Sequence, residues 1–240
     1  MSKELTQSEA VAAIVNGCIG VAILLMPTNT AQVGWLPTVL IVPLVGAISL
    51  FSCWLQLRHC KHHSDYDSAI QEHFDGARWV KVVYDMCLWT SLFVCSLFYF
   101  NFVVVLWEVL APASLANPIL NATVYIVLCL FLKYKQLGAH LLAYGLISIG
   151  AYLLFVTWAG ATAPAGQGKF PLIGDGTTST AALFQSALAI QNFFIPVLKG
   201  HSNSRNHFKI VFMALLVLCL SYFFAGFVGG YGNVLLTKEF

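Results

Sequence analysis

The residues of this chain best suited to chemistry are uncharged and stand in apolar surroundings. Asn16, Gly17, Cys18, Ile19 and Gly20 begin the stretch NGCIGVAILLMP, which closes on Pro27. Gln191 and Asn192 interrupt a second apolar stretch, LAIQNFFIPVLKGH, from Leu188 to His201, and Pro196 follows them. Glycine lets the backbone leave a helix without a Cβ clash, and proline removes a backbone donor. In hydrocarbon every freed N–H and C=O must find a partner, so irregular backbone persists only where it lines a cavity or is buried in protein. Such positions support recognition rather than bond-making. Freed N–H groups and positive half-helix ends suit a carboxylate, while freed carbonyls and amide oxygens suit an amine or a small cation. Two structural readings stay open beside this one: tight packing through the glycines or a plain proline kink in the first stretch, and helix-to-helix hydrogen bonding by Gln191 and Asn192.

Other reactive side chains carry less. No Gly-x-Ser-x-Gly, His-Glu-x-x-His, Walker or dinucleotide motif occurs, so neither an enzyme nor a nucleotide-driven pump is expected, and nothing points to nucleic acid. HCKHH, His59 to His63, offers metal-ligand types without a zinc spacing, and reads as a basic loop beside the membrane. Asp85 lies about one turn into an apolar segment and Glu108 at its far end, so no acid at midplane marks a proton carrier. His201 is of a type that titrates near neutral pH, but its basic neighbourhood reads as a solvated loop. The sequon Asn121-Ala122-Thr123 sits too close to an apolar segment to favour glycosylation.

The elements that must position these residues are membrane helices. Of 240 residues 59% are hydrophobic and 9% charged, and the mean hydropathy is +0.79, which describes a polytopic membrane protein. Six of the seven cysteines, Cys18, Cys53, Cys87, Cys95, Cys129 and Cys219, fall in apolar runs, where a thiol behaves as a small hydrophobe and no disulfide framework is expected. Crossing a core of about 30 Å takes roughly 20 apolar residues. Seven candidates follow, at about 10–31, 34–57, 80–108, 118–132, 138–160, 180–198 and 208–230, the first read as a retained span rather than a signal peptide. With the N-terminus cytoplasmic, Lys3, Arg58, Lys61, Arg78, Lys81, Lys133, Lys135, Lys199, Arg205 and Lys209 fall inside and only Lys169 and Lys238 outside, which fits the positive-inside rule. The inner loop 58–79 has room for a short interfacial helix near Tyr66 to Phe74, and the Gly/Thr/Pro-rich outer loop 161–179 has no periodicity.

One interrupted helix opening the chain and another after five spans match a transporter of five-helix inverted repeats, with the broken helices together near the midplane. The residues carry a resemblance as well. Asn16 to Pro27 resembles the first-helix signature of the amino acid/auxin permease family, approximately Asn-x-x-x-Gly-[ST]-[GS]-Ile-Leu-x-[LI]-Pro. Gly34-Trp35 looks like that family's Gly-[WF] pair, Phe193 to Phe208 is similar to its sixth helix and the loop after it, and Gly229 to Asn233 resembles the end of its seventh. The nearest likeness is to the sodium-coupled neutral amino acid branch and its lysosomal arginine-transporting, nutrient-sensing relative. Val21-Ala22 departs from the signature and removes a hydroxyl beside the substrate.

The resemblance implies an all-α membrane bundle of the leucine-transporter type, a single transmembrane domain over 1–240. Residues 1–160 form the first repeat, and 180–240 begin a second that is incomplete, because the family has eleven spans. It implies secondary transport of amino acids by alternating access, the first and sixth helices rocking against a scaffold that includes the third and fourth. Substrate would be held by Asn16, Gly17, Cys18, Ile19, Gly20, Ala189, Gln191, Asn192 and Phe193, with Asn16 also a ligand of a coupling cation. No resident cofactor is expected. The coupling ion is Na+ or H+, and the membrane is vacuolar, lysosomal or plasma. A sensor read by a partner at the loop 58–79, and a truncated non-transporting fragment, are the alternatives.

The topology makes a direct prediction. In a background without the other cysteines, Cys60 should react with an impermeant maleimide only from the face that carries the N-terminus. Thr177→Cys should react only from the opposite face, and labelling of both from one face would contradict the span order.

Overall fold

The computed structural model describes residues 5–19, 22–59, 66–110, 119, 122–127, 130, 138–162, 171–174, 190, 194–199, 201 and 204–231. The described chain is all-helical. It separates into two compact units, one made of Met1–Asp65 and Leu142–Phe240 and the other of Tyr66–Leu141.

The first unit holds the expected interrupted helix as two separate ones, α1 (Gln7–Cys18) and α2 (Ala22–Val33), bent by 62° across the break. A capping box begins α1. The Thr6 hydroxyl accepts from the Glu9 N–H at 3.3 Å, and the Glu9 carboxylate accepts from the Thr6 N–H at 2.8 Å, which satisfies two orphan donors of the first turn. Helix α3 (Trp35–His59) follows after a single residue, Gly34.

Gly34 is the corner, and it is glycine for two reasons. Its φ of +94° is a region L side chains rarely adopt. A Cβ there would also stand 2.7 Å from the Pro171 carbonyl oxygen and 2.9 Å from that of Leu172. The Gly34 N–H closes α2 by donating to Thr30 O at 3.0 Å, the 5→1 bond of an αL cap.

Pro171–Gly174, within the outer loop expected to lack periodicity, completes the corner. Trp35 N–H donates to Pro171 O and Leu36 N–H to Leu172 O, each at 3.2 Å, and Gly174 N–H donates to Val33 O at 2.7 Å. Two first-turn donors of α3 and a last-turn carbonyl of α2 are thereby paired, groups that no helix can satisfy internally.

Among the described residues the other helices of this unit are α6 (Gly138–Thr162), which belongs to it from Leu142 onward, the short α7 (Phe194–Lys199) and α8 (His207–Tyr231), entered through a 3₁₀ turn, Ser204–Asn206. Pro196 lies in the first turn of α7, where its missing N–H costs nothing.

Contact faces here are distinguished by size rather than polarity, as expected where lipid is as apolar as leucine. On α3 the buried stripe is Thr38, Val42, Gly46, Ser49 and Cys53, while Leu40, Leu44, Ile48 and Phe51 are exposed. On α8 the buried stripe is Ile210, Ala214, Leu218, Tyr222 and Ala225. Glycines let α8 approach α2 closely: a Cβ at Gly226 would lie 2.5 Å from the Thr30 hydroxyl oxygen, and one at Gly229 would lie 2.6 Å from Pro27 Cγ.

In the second unit, α4 (Tyr66–His73) is the short helix expected near Tyr66 to Phe74. It ends in a 6→1 bond from Gly76 N–H to Gln71 O at 2.8 Å, with Asp75 in the left-handed region at φ 48°. Helix α5 (Arg78–Leu110) has 33 residues, about 50 Å at 1.5 Å each, longer than the third span expected there. The fourth expected span is described only at 119, 122–127 and 130. Among the described residues two helices, Trp35–His59 and His207–Gly230, are long and apolar enough to cross a membrane, three if α1 and α2 count as one broken span. This marks a membrane protein.

Gly34 and Gly76 test the corner. Gly76 has φ +70° and nothing within 4 Å of the position a Cβ would take, so Gly76→Ala should cost only backbone strain, about 1 kcal/mol. Gly34→Ala should lower the thermal unfolding midpoint in detergent clearly more, because the Pro171 and Leu172 carbonyls must also move away. Equal shifts for the two variants would contradict a docked corner.

Candidate functional site

The break between α1 and α2 is built by two residues that leave carbonyls unpaired and two tyrosines that answer them. Ile19 ends α1 with extended backbone, φ −67° and ψ 103°, its N–H still donating to Val15 O at 2.8 Å. With the helix ended there, Cys18 O has lost its i+4 donor, and the Tyr222 hydroxyl of α8 donates to it at 3.5 Å.

Further along, Pro27 has no N–H to donate to Ile23 O, the carbonyl four residues earlier. The Tyr152 hydroxyl of α6 donates to that oxygen at 3.2 Å. A helix break and a proline, both costly in hydrocarbon, are therefore each compensated from a neighbouring helix.

Asn16 is half-buried on the last turn of α1, and its carboxamide occupies the space beside Gly145 of α6. Any Cβ at Gly145 would overlap the Asn16 side chain, so this glycine fixes where the amide can sit. Gly17 is exposed, and Cys18 and Ile19 are half-buried at the break. Gly20, Ala189, Gln191, Asn192 and Phe193 lie outside the described residues, so the structure brings together only the first-helix part of the expected site.

A cavity of about 640 Å³ runs beside α1 from Thr6, Gln7 and Ser8 to Val15, with Met213 and Val217 of α8 on its other wall. Ser8, Val11, Ala12 and Val15 form one helical stripe, and its next members at i+3 and i+4 are Cys18 and Ile19. The cavity wall ends at Val15, about one turn before the break, polar at the Thr6–Ser8 end and apolar along Val11–Val15. Its volume is in the range of small-molecule sites.

Just before α1, His201 departs from the solvated loop residue expected. It is half-buried, and its Nδ1 donates to Leu5 O at 2.9 Å, tying the entry to α1 to the exit of α7. His207 Nε2 donates to His201 O at 3.1 Å. Among the described residues no cluster of three His, Cys, Asp or Glu could hold a metal ion.

Tyr152, Tyr222, Gly145 and Leu5 do not stand out in the sequence. The signal it offers for the tyrosines is the hydroxyl itself, since a tyrosine inside an apolar span must find a partner for its O–H. No protein-family model, characterised protein or solved structure matches the chain.

The Tyr152 bond is testable by a double-mutant cycle. Tyr152→Phe should destabilise by about 1–3 kcal/mol, because Ile23 O loses its donor in a dry setting. In a Pro27→Ala background the restored N–H can pair Ile23 O within α2, and the cost of Tyr152→Phe should fall below about 1 kcal/mol. An undiminished cost would mean that the hydroxyl acts elsewhere.

Proposed function

We propose that this chain is an amino acid carrier of the inverted-repeat type, working by alternating access, with the seven-span order and the vacuolar, lysosomal or plasma membrane setting expected from its sequence. The observation that supports the reading is the 62° break between α1 and α2, with Asn16 on the last turn before it.

The break offers both halves of the recognition an amino acid needs. The last carbonyls of α1 and the Asn16 amide oxygen suit an ammonium group or a small cation. The first N–H groups of α2, at Ala22, Ile23 and Leu24, carry the positive end of a helix dipole and suit a carboxylate. Gln191, Asn192, Ala189 and Phe193 would complete the site from the second interrupted stretch, with Na+ or H+ as coupling ion.

The two tyrosine bonds supply a physical account of the motion. Hydroxyl-to-carbonyl bonds at 3.2 and 3.5 Å are long for O–H donors, and each holds one arm of the broken helix to a different neighbour. Tyr222 holds α1 and Tyr152 holds α2. Releasing one while keeping the other lets the arms tilt separately, and a substrate amine at Cys18 O would replace the Tyr222 hydroxyl rather than leave a carbonyl unpaired.

Uptake of radiolabelled L-amino acids into proteoliposomes tests this. Asn16→Ala and Gly20→Leu should each reduce uptake at least about tenfold, the loss of roughly 1.4 kcal/mol of binding or positioning. Ala12→Trp, which fills the cavity wall, should do the same, while Phe51→Ala on the exposed face of α3 should not. A preparation that binds no amino acid, with uptake indifferent to Asn16→Ala and Gly20→Leu, would sink the proposal.

A further inference from the structure

A second cavity, of about 390 Å³, lies between α3 and α8 away from the break, and its described lining is wholly apolar. On α3 it is walled by Pro43, Ala47 and Leu50, a single helical stripe whose next steps of four residues are Trp54 and Arg58. On α8 the wall runs from Phe223 through Leu220 and Leu216 to Phe212, and the next step is Lys209. The helices are antiparallel in sequence across the Gly46–Cys219 contact, so both stripes reach their cation at the same end.

Three features say what occupies it. The walls extend over about 10 Å on α3 and about 16 Å on α8 at 1.5 Å per residue, comparable to one leaflet of a core about 30 Å thick. The wall residues are open rather than packed, Leu220 being 60% exposed. Neither α3 nor α8 contains an acidic residue, and Arg58 and Lys209 both stand at that end. The Arg58 guanidinium lies 5.5 Å from the centre of the Trp54 ring, one step of four residues beyond Leu50 on the same helix.

We infer that the groove between α3 and α8 binds one phospholipid with an anionic headgroup, an acyl chain lying along Pro43–Leu50 and Phe212–Phe223 and the phosphate held by Arg58 and Lys209. The apolar walls give length and the two cations give headgroup selection, since each Lys or Arg near a membrane surface adds to the attraction for anionic lipid. The site is separate from the break, so it stands or falls independently of amino acid transport.

The test is native mass spectrometry of the full chain, released from detergent after equilibration with phosphatidylglycerol and phosphatidylcholine of identical chains. Phosphatidylglycerol should be retained roughly tenfold to thirtyfold in preference, the effect of two cations at the headgroup. The Arg58→Gln/Lys209→Gln double variant should bring the two lipids near parity, whereas Lys81→Gln should not. Ala47→Trp should reduce retention of both lipids at unchanged charge. Thermal unfolding establishes that each variant is folded, and Arg58→Gln alone substitutes for the double variant should that one fail.

Equal retention of the two lipids by the parent chain would overturn the inference. So would a preference that survives both charge removals. An Ala47→Trp variant that loses stability while lipid retention is unchanged would show that protein, from this chain or a second copy, fills the groove instead.

Discussion

The structure is organised around one constraint: a backbone carbonyl or N–H withdrawn from water must be given a partner. Three places within its first 35 residues strand backbone groups that a continuous helix would pair, the end of α1 at Cys18–Ile19, Pro27 inside α2 and the corner at Gly34, and each is answered from elsewhere. Tyr222 reaches Cys18 O, Tyr152 reaches Ile23 O, and the Pro171–Gly174 segment pairs the groups stranded at the corner. An unpaired group of this kind costs on the order of 1–3 kcal/mol, so leaving all of them open would remove a large part of a typical domain's stability. The three answers differ in strength. The corner has three backbone bonds of 2.7 to 3.2 Å, while the two described hydroxyl bonds at the break are longer, 3.2 and 3.5 Å.

That contrast follows the glycines. Where a fixed close approach is required, at Gly34, Gly226 and Gly229, a Cβ would meet backbone, a buried threonine or a proline ring with no room to yield. Gly145 is different, since the neighbour that fills its space is the polar side chain of Asn16. The same size rule governs the outer surface. The small stripe of α3 packs inward, the large residues of α3 and α8 face outward, and the groove between them is where the outward faces converge toward Arg58 and Lys209.

Much of the architecture is legible in the sequence because it is local. Apolar run lengths locate α3, α6 and α8 to within a few residues, and the glycines and proline of NGCIGVAILLMP locate the break. The short helix at Tyr66 is visible from its polar, charged setting. The partners are not legible, because Tyr152 and Ile23 are 129 residues apart, Tyr222 and Cys18 are 204 apart, and nothing in an apolar helix states which neighbour its hydroxyl will face. The docking of Pro171–Gly174 is hidden for a related reason: its contribution is backbone carbonyls and an N–H, which every residue type supplies. The charges around His201 point to a solvated loop, whereas its ring is fixed by the Leu5 carbonyl.

The proposed transport role requires that backbone groups at the break exchange a protein partner for a ligand. Amide hydrogen exchange on the reconstituted chain, with and without a saturating mixture of L-amino acids, reads this directly. Binding should slow exchange at Gly17–Leu24, by about tenfold or more for a ligand present at ten times its dissociation constant, and leave Trp35–His59 unchanged. Exchange at the break that is indifferent to amino acids would contradict the binding role and leave the interruption as a purely structural kink.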